Sequence, residues 1–185
     1  MTKDDLAELA AIINERSFGR GNITLASGKE SSFYFDMKPT MLHPKGAELL
    51  TRALLACVIK ADAQFVGSPE MGAVPLISSI CCHSQALGTP LHGFFVRKQP
   101  KGHGAQKLVE GLPKGETLAG KDIAIIEDVT TTGASAWKAA EACLAEGANI
   151  KVIITIVDRE DGADEFFKAK GVPFVAIFKA SRFLQ

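Results

Sequence analysis

The sequence has few of the residues that staple a chain, span a membrane or attract a polyanion. It holds four cysteines, Cys57, Cys81, Cys82 and Cys143. They form no CxxC pair, no histidine cluster partners them, and they sit in apolar stretches, which argues against a disulfide framework and against a zinc site of ordinary spacing. They are expected to be small core residues of a reducing compartment. Neither sign of charge predominates, with 21 Lys plus Arg against 21 Asp plus Glu. The chain as a whole therefore generates no field that would draw in nucleic acid or an acidic membrane, and any anion site must be local. No run approaches the roughly 18 apolar residues of a membrane span. Met1 to Glu15 has neither a basic leader nor a cleavable apolar run, so a cytoplasmic protein without nucleic-acid or membrane partners is expected. GxxxxGK[ST] and GxGxxG are both missing, which sets aside a Walker loop and a dinucleotide fingerprint. With no repeat, low-complexity tract or composition break, 185 residues of 46% hydrophobic content are expected to form one domain.

What is present is a regular alternation. Asp4 to Arg16 spaces Leu6, Leu9, Ala10 and Ile13 along one helical face, with acids in the first turn where the helix dipole favours them. Ile23 to Gly28 and Ser31 to Met37 are β-prone segments around a Gly-Lys-Glu turn, which predicts a hairpin-like strand pair. Pro44 to Lys60 reads as a helix with proline in its first turn. From Gln64 the pattern becomes strand then helix, repeatedly: Phe65–Gly67, Val74–Leu87, Leu91–Val96, Asp122–Ile126, Ala134–Glu146, Lys151–Val157, Ala163–Lys170 and Phe174–Phe178. The fold class predicted is α/β, a mostly parallel sheet flanked by helices, with ligands at the carboxyl ends of the strands. Arg97 to Gly120, rich in Gly, Lys and Pro, is expected to be a long loop.

The strongest chemical signal is Ile123-Ala-Ile-Ile-Glu-Asp-Val-Thr-Thr-Thr-Gly-Ala-Ser. An apolar strand ends in Glu127 and Asp128, then Val129, Thr130, Thr131, Thr132, Gly133, Ala134 and Ser135 lead into a helix. Backbone N–H groups of such a turn, joined by hydroxyls, bind a phosphate without a lysine. The acids would repel that phosphate if aimed at it, but they suit the hydroxyls of a sugar next to it. A phosphorylated ribose satisfies both halves. The plainer alternative is an acidic strand end followed by a Thr-capped helix. After the strand His92–Val96 come Arg97, Lys98, Lys101 and His103 among glycines, a group of cations that could neutralise a pyrophosphate and close over it as a lid. Taken alone, such a run is as often a solvated loop. Arg159, just beyond the strand Lys151–Val157, can fork onto a carboxylate or pair with Asp158 or Glu160.

These motifs resemble the type I phosphoribosyltransferases, and the RKxxKxHG run with Glu110-Gly111 looks like the catalytic loop of the orotate phosphoribosyltransferases in particular. Thr24-Leu-Ala-Ser-Gly-Lys-Glu-Ser-Ser-Phe-Tyr-Phe-Asp is similar to that family's N-terminal hood. The resemblance spans about Phe18 to Arg159. It implies transfer of the phosphoribosyl group of 5-phosphoribosyl 1-pyrophosphate (PRPP) to orotate, giving orotidine 5′-phosphate and pyrophosphate in pyrimidine biosynthesis. It assigns Glu127 and Asp128 to the ribose hydroxyls and Thr130 to Ser135 to the 5′-phosphate. Arg97, Lys98, Lys101 and His103 fall to the pyrophosphate, with Lys101 and His103 as the catalytic candidates. Thr131 and Arg159 are assigned to orotate, joined by Lys29, Tyr34 and Phe35. It further implies Mg²⁺, held by substrate and water rather than by direct protein ligands, and a homodimer with shared active sites, residues 1–40 being the hood and 97–120 the catalytic loop. Many relatives carry Lys at Ala26 and before Gly72. Here Lys29 is expected to compensate, and the Glu70–Ala73 turn to offer N–H groups. The competing readings are a phosphoribosyltransferase for another base and a nucleotide-sensing regulator of the same fold.

Overall fold

Apolar residues on both faces of short strands, most of them separated by a helix, leave a parallel sheet as the arrangement that buries them all. The computed structural model describes residues 1–24, 30–99 and 108–185. Helix α1 (Lys3–Arg16) is started by a capping box in which Thr2 and Asp5 exchange side-chain and backbone hydrogen bonds. A hairpin follows, β1 (Phe18–Thr24) antiparallel to β2 (Glu30–Phe35). Then come α2 (Lys38–Met41) and α3 (Pro44–Lys60), and the main sheet begins with β3 (Phe65–Pro69). Helix α4 (Val74–Ala86), β4 (His92–Val96), β5 (Val109–Glu110), β6 (Asp122–Thr130) and α5 (Ala134–Ala145) continue it. Strand β7 (Asn149–Asp158), α6 (Ala163–Ala169), β8 (Phe174–Lys179) and a 3₁₀ turn at Ala180–Phe183 complete the chain.

Among the described residues the six-stranded sheet has the order β5-β4-β3-β6-β7-β8, parallel throughout except for β5. The direction of winding reverses between β3 and β6, and such a switch opens a crevice outside the strands' carboxyl ends. The period of two along β6 and β7 sorts side chains onto two cores. Ala124, Ile126, Ile154 and Ile156 pack with Leu9, Leu49, Leu54 and Leu76 under α1, α3 and α4. Ile123, Ile125 and Ile153 pack with Ala139, Ala140, Cys143 and Phe167 under α5 and α6.

The expected helices and sheet strands form, with ends shifted by a few residues. Three features differ. The hairpin's first strand starts at Phe18, ahead of the expected Ile23, because Phe18 pairs with Phe35 and Gly19 with Tyr34. Helix α2 was not foreseen, being a single proline-started turn. The Arg97–Gly120 segment, expected to be one long loop, contains β5, which pairs with Phe95 and Val96, and it buries Leu118 completely. Ala26, Lys29, Lys101 and His103 lie outside the described residues. No helix among the described residues is long and apolar enough to cross a membrane.

Phe167 is fully buried, and its ring lies 4.9 Å from that of Phe174 and 5.3 Å from that of Phe166. A Cβ on Gly133 would come within 2.7 Å of it, so this ring supports the turn before α5 from beneath. Phe167→Ala is expected to destabilise the protein by about 3–5 kcal/mol. Urea unfolding should show a lowered midpoint with an unchanged slope; a loss under about 1 kcal/mol would mean that the cavity collapses.

Candidate functional site

Glu127 and Asp128 sit near the end of β6, and burial makes both carboxylates unusual. Glu127 is 7% exposed, and its Oε2 has no hydrogen-bond partner among the described residues. Burial, reinforced by the neighbouring Asp128 carboxylate, pushes its pKa from 4.5 up to about 8, while the Ser135 hydroxyl and the Lys98 ammonium favour the anion. Asp128 is also raised, chiefly by burial, against the pull of the Val129 N–H and its own. A buried acceptor left without a donor is costly, and the natural remedy is a ligand that brings hydroxyl groups.

The turn beyond the acids is similarly unspent. If this were an ordinary Thr-capped helix, a threonine hydroxyl would cap α5. Instead the N-cap is Gly133 at φ 86°, with no side-chain cap bond. Thr130 is 2% exposed, and its Oγ1 has no partner among the described residues. Thr131 is half-buried, while Thr132, Ala134 and Ser135 are exposed. Ser135 turns its hydroxyl to Glu127, while the Thr131 and Thr132 hydroxyls and the first-turn N–H groups of α5 have no partner among the described residues and can hold an anion at the positive end of the helix dipole. Gly133 is needed twice over, for its left-handed backbone and because Phe167 and Phe166 leave no room for a Cβ. Val129, half-buried, packs against the core and adds only backbone here.

The other strand ends converge on this point. After β3, the Glu70–Ala73 turn passes directly over the acids: a Cβ on Gly72 would lie 2.7 Å from Asp128 Oδ1 and 3.4 Å from Glu127 Oε1. After β4, Arg97 places its guanidinium 3.5 Å from Glu110, and its N–H donates to the Leu108 carbonyl at 2.9 Å. Lys98 is exposed, and its backbone N–H donates to Glu70 Oε1 at 2.8 Å. Lys38, at the start of α2, bonds Asp36 Oδ1 at 2.9 Å and lies within the field of Asp128. Nothing in its sequence context marked Lys38, because the fold alone brings α2 to the acids.

After β7, the Arg159 N–H donates to the Thr130 carbonyl at 2.8 Å, which fixes this cation beside the threonine turn. Its side chain is nearly buried and does not pair with Asp158 or Glu160. It reaches Ser31 Oγ at 2.8 Å, the Phe33 carbonyl at 3.3 Å and Asp161 at 3.5 Å, with the guanidinium 4.2 Å from the centre of the Phe33 ring. An open cleft of ≈ 400 Å³ is lined here by Ser31, Ser32, Phe33, Arg159 and Asp161.

Of the two hood aromatics expected beside the base, neither meets Arg159. Phe35 is packed against Phe18 and Phe183, 5.1 and 5.3 Å away. Tyr34 faces the other side of the hairpin, where its ring lies across Gly19. The aromatic that meets Arg159 is Phe33, which shares the inward face of the hairpin with Phe35, their rings 6.0 Å apart, and Ser31 accompanies it. Among the described residues no group of three or more His, Cys, Asp or Glu is placed to hold a metal ion.

No family model matches the chain. The orotate phosphoribosyltransferase of Rhodopseudomonas palustris strain TIE-1 is 56% identical over 178 residues, 96% of this chain and 95% of that protein. The crystal structure of Mycobacterium tuberculosis H37Rv orotate phosphoribosyltransferase in complex with Fe(III) dicitrate superimposes with a TM-score of 0.82 at 33% identity, covering 97% of this chain and 98% of that one. The same enzyme in complex with PRPP gives a TM-score of 0.79 at 30% identity, over 98% and 99%. On this likeness, and with an acid pair, an open threonine turn and an arginine brought to neighbouring strand ends, the chain belongs to the orotate phosphoribosyltransferase family.

Proposed function

We propose that the four strand ends divide the work of the family's reaction, the transfer of a phosphoribosyl group from PRPP to orotate to give orotidine 5′-phosphate and pyrophosphate in pyrimidine biosynthesis. The observation that carries the assignment is the 2.8 Å bond from the Arg159 N–H to the Thr130 carbonyl, which sets a carboxylate-reading cation next to a phosphate-reading turn. Thr130 to Ser135 hold the 5′-phosphate, and Glu127 and Asp128 accept from the ribose hydroxyls. Arg159 takes the orotate carboxylate, with Thr131 beside it, and the face of Phe33 lies under the same guanidinium. The hood, residues 1–40, covers the base; Lys29 belongs to it. Arg97, Lys98, Lys101 and His103 gather the pyrophosphate within the 97–120 loop, Lys101 and His103 assisting its departure by charge or by a proton.

As the ring nitrogen of orotate bonds to the anomeric carbon, the bond to the pyrophosphate oxygen breaks. Positive charge grows on the sugar and negative charge on the leaving group, so placed charges and positioning do the work and no covalent nucleophile is called for. Mg²⁺, when bound, would supply charge neutralisation of the leaving group. The unpartnered Glu127 Oε2 and the adjoining Asp128 suit such an ion through its water shell. The protein acts in the cytoplasm as a single domain and as a homodimer whose partner loops complete each site.

The direct test follows orotate by its ultraviolet absorbance, with purified protein, PRPP and magnesium, and with adenine, hypoxanthine and uracil as competing bases. Orotate should disappear only when all components are present; turnover of a purine instead would overturn the assignment. Arg159→Lys keeps the charge and loses the fork. It should raise KM for orotate about tenfold or more while PRPP affinity stays within about twofold, and equal losses for both substrates would count against a specific role toward the base.

Glu127 yields a prediction about pH. Its folded pKa of about 8 leaves the free carboxyl mostly protonated at neutral pH, and sugar hydroxyls donate best to the anion. PRPP binding should therefore strengthen as pH rises from 6 toward 8 and release up to one proton, then level off. Calorimetry in two buffers of different ionisation enthalpy reads that proton, with Glu127→Gln as the control for titration of PRPP itself. A native protein and a Gln variant with the same proton release would dispose of the idea.

A further inference from the structure

A carboxylate at the mouth of a pyrophosphate site is a liability unless its charge is engaged elsewhere. We infer that Glu70 is a positioning residue that fixes the root of the basic segment over the acid pair by accepting the Lys98 backbone N–H. Glu70 follows β3 directly. Its own N–H donates to the Val96 carbonyl at 2.8 Å, and its Oε1 accepts from the Lys98 N–H at 2.8 Å, so it grips the chain on both sides of Arg97. The second hold on this root comes from Leu108, whose carbonyl accepts the Arg97 N–H at 2.9 Å, and from Glu110, 3.5 Å from the Arg97 guanidinium. A backbone amide donating to a carboxylate is a charge-assisted bond, stronger than an amide-to-amide one, and it turns the Glu70 charge away from an incoming anion.

The consequence is geometric. Lys98 then projects from a fixed point at the end of β4, and its ammonium acts on Glu127. Two residues beyond Glu70, Gly72 rests against both acids closely enough to exclude a Cβ. Glu70 thus ties the turn that covers the ribose carboxylates to the segment that carries the cations, holding the site's two charge poles at a set separation. Its sequence neighbourhood, Ser68-Pro-Glu-Met-Gly, gives no hint of this, because the partner is a backbone amide 28 residues on.

The inference rests on the reading of the basic segment as the pyrophosphate site, and the test separates the two. Native protein, Glu70→Gln and Glu70→Ala are compared by steady-state kinetics and by exchange of the Lys98 amide followed by NMR. Gln keeps an acceptor at the same reach and Ala keeps none. The Ala variant should exchange the Lys98 amide about tenfold faster or more and lose about tenfold in kcat, with KM for orotate within about twofold. Gln should recover most of both. Unchanged exchange in the Ala variant, normal kcat despite fast exchange, or a Gln variant as impaired as Ala would each overturn the proposal. A Lys98→Ala variant with native turnover would instead overturn the reading of the segment, which the Lys98 exchange measurement does not touch.

Discussion

Two adjacent carboxylates near the end of a central strand are the constraint around which the rest of this structure is arranged. Strand β6 has a neighbour on each side and a core on each face, so Glu127 and Asp128 are drawn out of water by the same burial that stabilises Ile125 and Ile126. The cost is visible in the raised pKa values and in an oxygen that lacks a donor among the described residues. Such a cost persists where function requires it. Around the acids, Gly72 makes room by having no side chain, Lys38 and Lys98 offset the charge by their fields while Asp36 adds to it, and the threonine turn leaves donors for a ligand.

The alternation of strands and helices was legible because each element has enough residues to show its period. A strand such as β7, in which six of ten residues are Ile or Val, is hard to misread. The acid-threonine turn was legible for a different reason, namely that its residue types make little sense as packing. What escaped notice was short or relational. Strand β5 has two residues and α2 one turn, too few for any periodicity. The strand expected over Asp122–Ile126 runs on to Thr130, because parallel pairing with β7 carries the polar residues along with the apolar ones.

The hood shows the limit most clearly. Phe33, Tyr34 and Phe35 are consecutive, and composition cannot say which of them faces inward. Register decides that, and a shift of one residue exchanges the faces. Pairing Phe18 with Phe35 sends Phe33 and Phe35 to the protein side and Tyr34 across Gly19 to the other. Within the inward pair, position along the strand does the rest: Phe35 falls into the Phe18–Phe183 cluster, while Phe33 comes under Arg159. Arg159 itself could have been a surface ion pair. It is instead drawn in by the hairpin, so a residue distant in sequence by 126 positions determines its role.

A balanced total charge, 21 cations and 21 anions, conceals a strongly ordered distribution at the carboxyl ends of the sheet's central strands. The reaction of this family builds positive charge on a sugar and negative charge on a leaving group only a bond apart, so a site with a single sign of field would favour one and oppose the other. The fold meets this by drawing its charges from different strands. The acids ride on β6, the cations follow β4, and β3 lies between them in the sheet and delivers only a close-fitting turn. Because these are rigid parallel strands roughly 4.8 Å apart, the sheet sets the approximate spacing of the strand ends from which the two poles arise. The loops then have the smaller task of fine placement, and the topological switch between β3 and β6 opens the crevice between the poles.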